Sequence, residues 1–177
     1  MPAHLGAIGC SAALALLAGC GGAASAPAAS LGHGVVVAVV DGDTIVVRIA
    51  GRDEHVRLLG IDTPETVDPR KPVACFGHEA SEHTKQLLPK GTAVRLERDL
   101  DARDKYARLL AYVYRQRDGL FVNLDLAVQG YADVLSIVPN VAHADELRAA
   151  VGEARSAGRG LWSACSSFGA PLAGKSG

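Results

Sequence analysis

Between Val35 and Glu65 the chain reads VVVAVVDGDTIVVRIAGRDEHVRLLGIDTPE, and its acids fall at particular places. Asp41, Asp43, Asp62 and Glu65 stand at the ends of apolar, β-branched runs, and Arg57 projects from the run that leads into Asp62. A rigid sheet holds carboxylates at its strand ends at fixed separations. Hard oxygen donors beside a guanidinium suit a divalent cation next to a phosphate. Further along, Asp104-Lys105-Tyr106-Ala107-Arg108 sets a second arginine in a charged segment. Arginine offers phosphate oxygens a planar fork and keeps its charge near neutral pH. Breaking a phosphodiester takes a positioned water, neutralised phosphoryl oxygens and an in-line leaving group. Acids and arginines in this pattern could serve the first two needs.

The elements that must hold these groups follow from periodicity. Residues 35–40 and 45–49 read as two strands joined at Asp41-Gly42-Asp43-Thr44. A turn over Ala50-Gly51-Arg52-Asp53 leads into a third strand, His55 to Gly60. The stretch 66–74, with two prolines, reads as a loop. Residues 76–88 place Ala80, Thr84, Leu87 and Leu88 on one face, an amphipathic helix. Alternation predicts strands over 92–97 and 109–114, with a charge run between them. A short helix over 122–129 ends at Gly130, and residues 141–157 carry the stripe Leu147, Ala150, Val151 and Ala154. Leu161-Trp162 is expected to pack back on the body. Five strands with helices after them suit a small barrel, α+β and mainly β, with about three helices on one side. The pattern by itself leaves a sandwich or an open sheet available.

Asp41-Gly42-Asp43-Thr44, then Val56-Arg57-Leu58-Leu59-Gly60-Ile61-Asp62-Thr63-Pro64-Glu65, then Asp104-Lys105-Tyr106-Ala107-Arg108 together resemble the staphylococcal nuclease (thermonuclease) family. The resemblance covers residues 35–165. It implies a five-stranded barrel of the oligonucleotide-binding (OB) type. It also implies a Ca²⁺-dependent hydrolysis of DNA and RNA, single-stranded or frayed duplex, at the 5′ P–O bond, leaving 3′-phosphate ends. Residue by residue, Asp43 and Asp62 would be direct metal ligands and the carbonyl of Thr63 a third, with Asp41 acting through a water. Glu65 would be general base or water-orienting group, a weak base with an intrinsic pKa of about 4.3. Arg57 and Arg108 would grip the scissile phosphate, and Lys105 and Tyr106 a terminal one. Two departures stand out. Ala107 occupies the place of a usual glycine, and Val134-Leu135-Ser136-Ile137-Val138 has no aromatic where the family stacks bases on tyrosine.

Composition sets limits around this reading. A chain of 177 residues with 21% charged and 49% apolar residues is one globular domain, and its net charge of −1 gives no global pull on nucleic acid. Phosphate binding must then be local. The five basic residues among Arg95 to Arg108 alternate with acids and read as a solvated loop. His78 and His83 lie five apart, unlike a zinc pair, and read as helix-surface residues. A monomer is expected.

Residues 1–30 contain no Lys, Arg, Asp or Glu, and Ala12 to Ala18 resembles the apolar core of a secretory signal peptide. Leu17-Ala18-Gly19-Cys20 resembles the bacterial lipoprotein box, with Cys20 as the lipidated residue and the only route to a membrane. The expected organisation is a leader over 1–20, a tether over 21–34, the domain over 35–165 and a frayed tail over 166–177. Export places the protein in the cell envelope or outside it. Of the four cysteines, Cys10 leaves with the leader and Cys20 takes the lipid, so Cys75 and Cys165 are left to bridge in an oxidising compartment. Such a bridge is expected to affect stability and to leave the metal site unchanged.

Two other functions compete. An OB-type barrel that binds nucleic acid without cutting it would be expected to lack an acid or an arginine, and Asp43, Asp62, Glu65, Arg57 and Arg108 are all present. A calcium-binding envelope protein would make no use of the two arginines.

Overall fold

The computed structural model describes Met1, residues 29–66 and residues 72–171. The leader with Cys10 and Cys20, the first part of the tether, residues 67–71 of the loop and the last six residues of the tail lie outside the described residues. A closed barrel of β1 (Ala29–Asp41), β2 (Thr44–Ile49), β3 (Arg52–Leu58), β6 (Leu109–Arg115) and β5 (Ala93–Arg98), in that order, forms the body. This is the OB fold expected from the sequence.

Most neighbours in the barrel are antiparallel, but β3 and β6 run parallel, with Arg57 beside Leu110. A parallel pair needs a long crossover. Here the crossover carries α1 (Gly77–Leu87) and β5. Its consequence for the site is that Arg108, just before β6, arrives near the strand that carries Arg57. Alternate residues of the strands fill the interior, with Val36, Ile45, Val47, Val56, Leu58, Val94, Leu96 and Leu110 essentially inaccessible to water. Burial of such a side chain contributes roughly 1.5–3 kcal/mol.

α2 (Val122–Val128) and α3 (Ala144–Ser156) pack on one flank, and α3 buries Leu147, Ala150, Val151 and Ala154, the stripe read from its spacing. Asn123 of α2 is wholly buried, donating to the Leu59 carbonyl at 2.8 Å and accepting from the Val113 amide at 3.0 Å. It thereby fastens α2 where β3 ends.

Five details differ from the sequence reading. β1 begins at Ala29, because residues 29–34 of the supposed tether pair with β5 as far as Arg98. The third strand breaks at Leu59, and β4 (Gly60–Asp62) leaves the barrel to pair with β7 (Asp133–Leu135). Gly60 makes that break at φ +79, with Leu147 packed where a side chain would stand. A fourth helix, α4 (Leu161–Ala164), buries Leu161, while the Arg155 guanidinium lies 4.1 Å over the Trp162 ring. His83 is no plain surface residue: its ring stacks on Tyr131 at 4.0 Å and bonds Asp125 at 2.9 Å. Residues 166–171, expected to fray, lie against Ala74 and Cys75 through an Ala74–Pro171 bridge and a 2.7 Å bond from the Cys75 amide to the Ala170 carbonyl. Among the described residues no helix is long and apolar enough to cross a membrane.

Candidate active site

The β1–β2 turn is tight, with Asp41 paired to Thr44, so Gly42 and Asp43 alone round the corner. Gly42 is required there. A Cβ on it would lie 2.6 Å from Thr63 Oγ1 and 2.9 Å from Thr63 Cβ, so only glycine lets the two acidic motifs meet. Thr84 of α1 supports the same turn from below, its hydroxyl donating to the Gly42 carbonyl at 2.7 Å. The Leu58 amide donates to the Asp43 carbonyl at 2.9 Å, locking the turn to the end of β3.

Asp41, Asp43, Asp62, Thr63 and Glu65 consequently line one cavity of about 480 Å³. Asp43 accepts from the Thr63 amide at 3.0 Å and from the Thr44 hydroxyl at 3.0 Å. Asp41 is buried and accepts from the Gly42 amide at 2.8 Å and the Thr66 hydroxyl at 2.7 Å. Burial raises its pKa, opposed by those hydrogen bonds. Asp62 is pushed up to about 6, chiefly by burial and then by the neighbouring Asp43 charge, with Arg57 opposing. Acids this close repel one another, and a cation would relieve them. Among the described residues no three His, Cys, Asp or Glu side chains form a ready-made metal cage. The chemistry of these donors, carboxylates with backbone carbonyls, would suit a hard dication, which Asp43 and Asp62 would help to hold. The buried Thr63 hydroxyl, which has no hydrogen-bond partner among the described residues, belongs to the same wall.

The two arginines differ in availability. Arg57 sits opposite Thr44 on β3 and is only 4% exposed. Its Nη2 lies 3.1 Å from Asp43 and donates to Asp62 at 2.8 Å, while Nη1 donates to the Leu58 and Ile61 carbonyls at 2.6 and 2.8 Å. In this state it clamps the acids to each other. Arg108 is more open, held by Asp104 through Nε at 2.8 Å and reaching Thr44 Oγ1 at 3.4 Å. A chain of bonds therefore runs from Arg108 through Thr44 to Asp43.

Lys105 and Tyr106 stand apart from the cavity, with Tyr106 68% exposed. The Lys105 ammonium is 5.0 Å and the Arg108 guanidinium 5.5 Å from the Tyr106 ring centre, so the three form a cationic rim. Elsewhere in the basic segment Arg95 pairs with Glu97 and Arg103 with Glu54.

A search of protein families matches residues 55–164 to the staphylococcal nuclease homologue family. The chain belongs to the staphylococcal nuclease family. As a member of that family it is a nuclease, a hydrolase. Relatives include the thermonuclease of Staphylococcus hyicus, 39% identical over 128 residues, covering 72% of this chain and 74% of that protein. The thermonuclease of Staphylococcus intermedius is 43% identical with the same coverage. Endonuclease YncB of Bacillus subtilis is 43% identical over 126 residues, covering 70% of this chain and 58% of that longer protein.

Sequence reading missed the residues that hold the site together. Thr66 holds Asp41, Asp104 aims Arg108, and Thr84 supports the turn. It also missed Phe168, Gly169 and Pro171, which line the cavity from the end of the chain. The Cys75–Cys165 pair read from the sequence is a disulfide, with Cα atoms 5.9 Å apart.

Proposed function

We propose that the protein is an exported, Ca²⁺-dependent nuclease that hydrolyses DNA and RNA phosphodiesters at the 5′ P–O bond and leaves 3′-phosphate ends. The observation that carries this reading is the convergence of Asp41, Asp43, Asp62, Thr63 and Glu65 on one cavity, with Arg57 and Arg108 bonded into the same network. Asp43, Asp62 and the Thr63 carbonyl would hold the calcium ion, with Asp41 behind a water. Bound there, the ion supplies positive charge to the phosphoryl oxygens.

The chain's own groups do the rest. Arg108 meets the phosphate from the open side, oriented by Asp104. Arg57 turns Nη2 to both acids, donating to Asp62 and lying 3.1 Å from Asp43, and that nitrogen would become available to phosphate once those carboxylates face a cation. Glu65 is fixed at both ends, its carbonyl accepting from the Ala74 amide at 2.9 Å and its carboxylate from the Thr66 amide at 3.0 Å, and in this reading that carboxylate would face the attacking water. As a weak base it orients the water and draws its proton late, so most of the rate comes from positioned charge. Lys105 and Tyr106 form the rim for a terminal phosphate, and the substrate in this reading is single-stranded or frayed duplex.

Export rests on the leader, with lipidation at Cys20, and the Cys75–Cys165 bridge agrees with an oxidising compartment. The protein acts as a monomer in this reading. The test is incubation of residues 21–177, which keep the whole of β1, with plasmid DNA and RNA in Ca²⁺ or in chelator. Cleavage in Ca²⁺ alone is expected, and the DNA products should resist polymerase extension until a phosphatase removes the 3′-phosphate. Tight binding without cleavage would favour the non-catalytic binding module instead.

A further inference from the structure

The acid cavity has a wall that the site chemistry does not use. Phe168, Gly169 and Pro171 line it together with Pro64 and Pro72, opposite the carboxylates in composition and close to them in space. Phe168 is half-buried and lines the cavity. The segment that carries it is held at both ends. The Cys75–Cys165 disulfide anchors its start, and the Ala74–Pro171 bridge and the Cys75 amide on the Ala170 carbonyl anchor its finish. Between them the Ala170 amide turns back to the Ser167 carbonyl at 3.3 Å, with Gly169 at φ +71. Ala74, at the far anchor, also donates to the Glu65 carbonyl, so this strap and Glu65 share a support.

We propose that Phe168 is a substrate-contacting residue, a stacking platform for one nucleobase, carried into the acid cavity by the strap of residues 166–171 that the Cys75–Cys165 bridge holds in place. The proposal rests on the nuclease reading of the same cavity. A nucleotide has two unlike ends, a charged phosphate and a flat apolar base, and this cavity has two unlike walls to match. Ligand cavities of 300–1,000 Å³ with an apolar lining and a few polar groups commonly fix orientation in this way. A half-exposed aromatic stacks on any base, so the contact adds affinity without sequence preference. The bridge then has a role beyond stability. It positions a binding residue.

The test uses the full chain, its bridge intact in all but the cysteine variant, and two fluorescent single strands of equal length, one of thymidylate and one of abasic residues. Binding is read by anisotropy in a Glu65→Gln background, and KM and kcat by cleavage in the parent. Phe168→Ala and Phe168→Leu should each raise Kd and KM for thymidylate about tenfold, Phe168→Trp should not, and none should shift the abasic strand by more than about twofold. The split between KM and kcat marks a binding contact, with kcat retained. Cys75→Ser with Cys165→Ser should give the same loss, and adding Phe168→Ala to it should cost little more. Equal losses on both strands, no loss on either, or a leucine variant that behaves as wild type would overturn the proposal. A parent that cuts neither DNA nor RNA would defeat the nuclease reading alone, since the anisotropy still decides whether Phe168 meets a base.

Discussion

At the scale of single residues, the two arginines separate function from support. Among the described residues the Arg108 side chain bonds only to other side chains, Asp104 and Thr44, which aim its fork. Arg108→Lys keeps the charge and removes the fork, so kcat/KM should fall about 10- to 100-fold with the melting temperature nearly unchanged. Arg57→Lys should lose activity and also stability, by about 1–3 kcal/mol, because the Leu58 and Ile61 carbonyls and two acids all depend on its guanidinium. Steady-state kinetics beside thermal melts check both. If the melts of the two variants coincide and both retain full activity, the arginines are structural only. The acids and arginines were legible in the sequence because their types announce charge chemistry. Thr44, Thr66 and Asp104 were not. A hydroxyl or a carboxylate that orients another side chain takes its meaning from a partner that is distant or hidden until the chain folds.

Elements place these residues, and the contact between α1 and the β1–β2 turn is the clearest case. Thr84 is completely buried and its hydroxyl is bonded to the Gly42 carbonyl. Thr84→Val should leave that carbonyl without its donor and cost about 1–3 kcal/mol in a denaturant melt. No change in the melt would mean that the turn stands without the helix. The turn after β6 is pinned differently. Arg115 donates to Asp118 from Nε and Nη2 and to the Leu87 carbonyl at 2.9 Å, and this arginine holds the Asp118 pKa down to about 2. A depressed folded pKa gives stability that is present above the unfolded value of 3.8 and is lost as pH falls toward about 2. Asp118→Asn should therefore flatten the fall in melting temperature below pH 4, and an unchanged acid limb would contradict the pairing. Strand and helix identities were legible because periods of two and near four persist over six or more residues. The break at Leu59 and the β4–β7 pair were not, since three-residue strands carry no period and are chosen by the packing of Leu147 against Gly60.

For the whole molecule, the barrel sets the distances and the disulfide closes the chain on itself. With a sequence separation of 90, the bridge should contribute on the order of 4–5 kcal/mol in the chain-entropy account. Denaturant curves with and without reductant measure it, and coincident curves would show that the bridge only decorates a barrel already stable. The pairing of Cys75 with Cys165 was readable from the cysteine count and the compartment that the leader led one to expect. The reach of the tail into the cavity was not, because no pattern in Ser166 to Pro171 says where so short a segment will lie. The account as a whole stands on Glu65 acting beside a cation held by Asp43 and Asp62. Its most direct test is the single-turnover cleavage rate of Glu65→Gln on single-stranded DNA at saturating Ca²⁺, with Ca²⁺ affinity measured on the same protein. The expected result is a rate lower by about 10²–10⁴-fold with Ca²⁺ affinity and melting temperature close to wild type. A rate near wild type would contradict the assignment of the site.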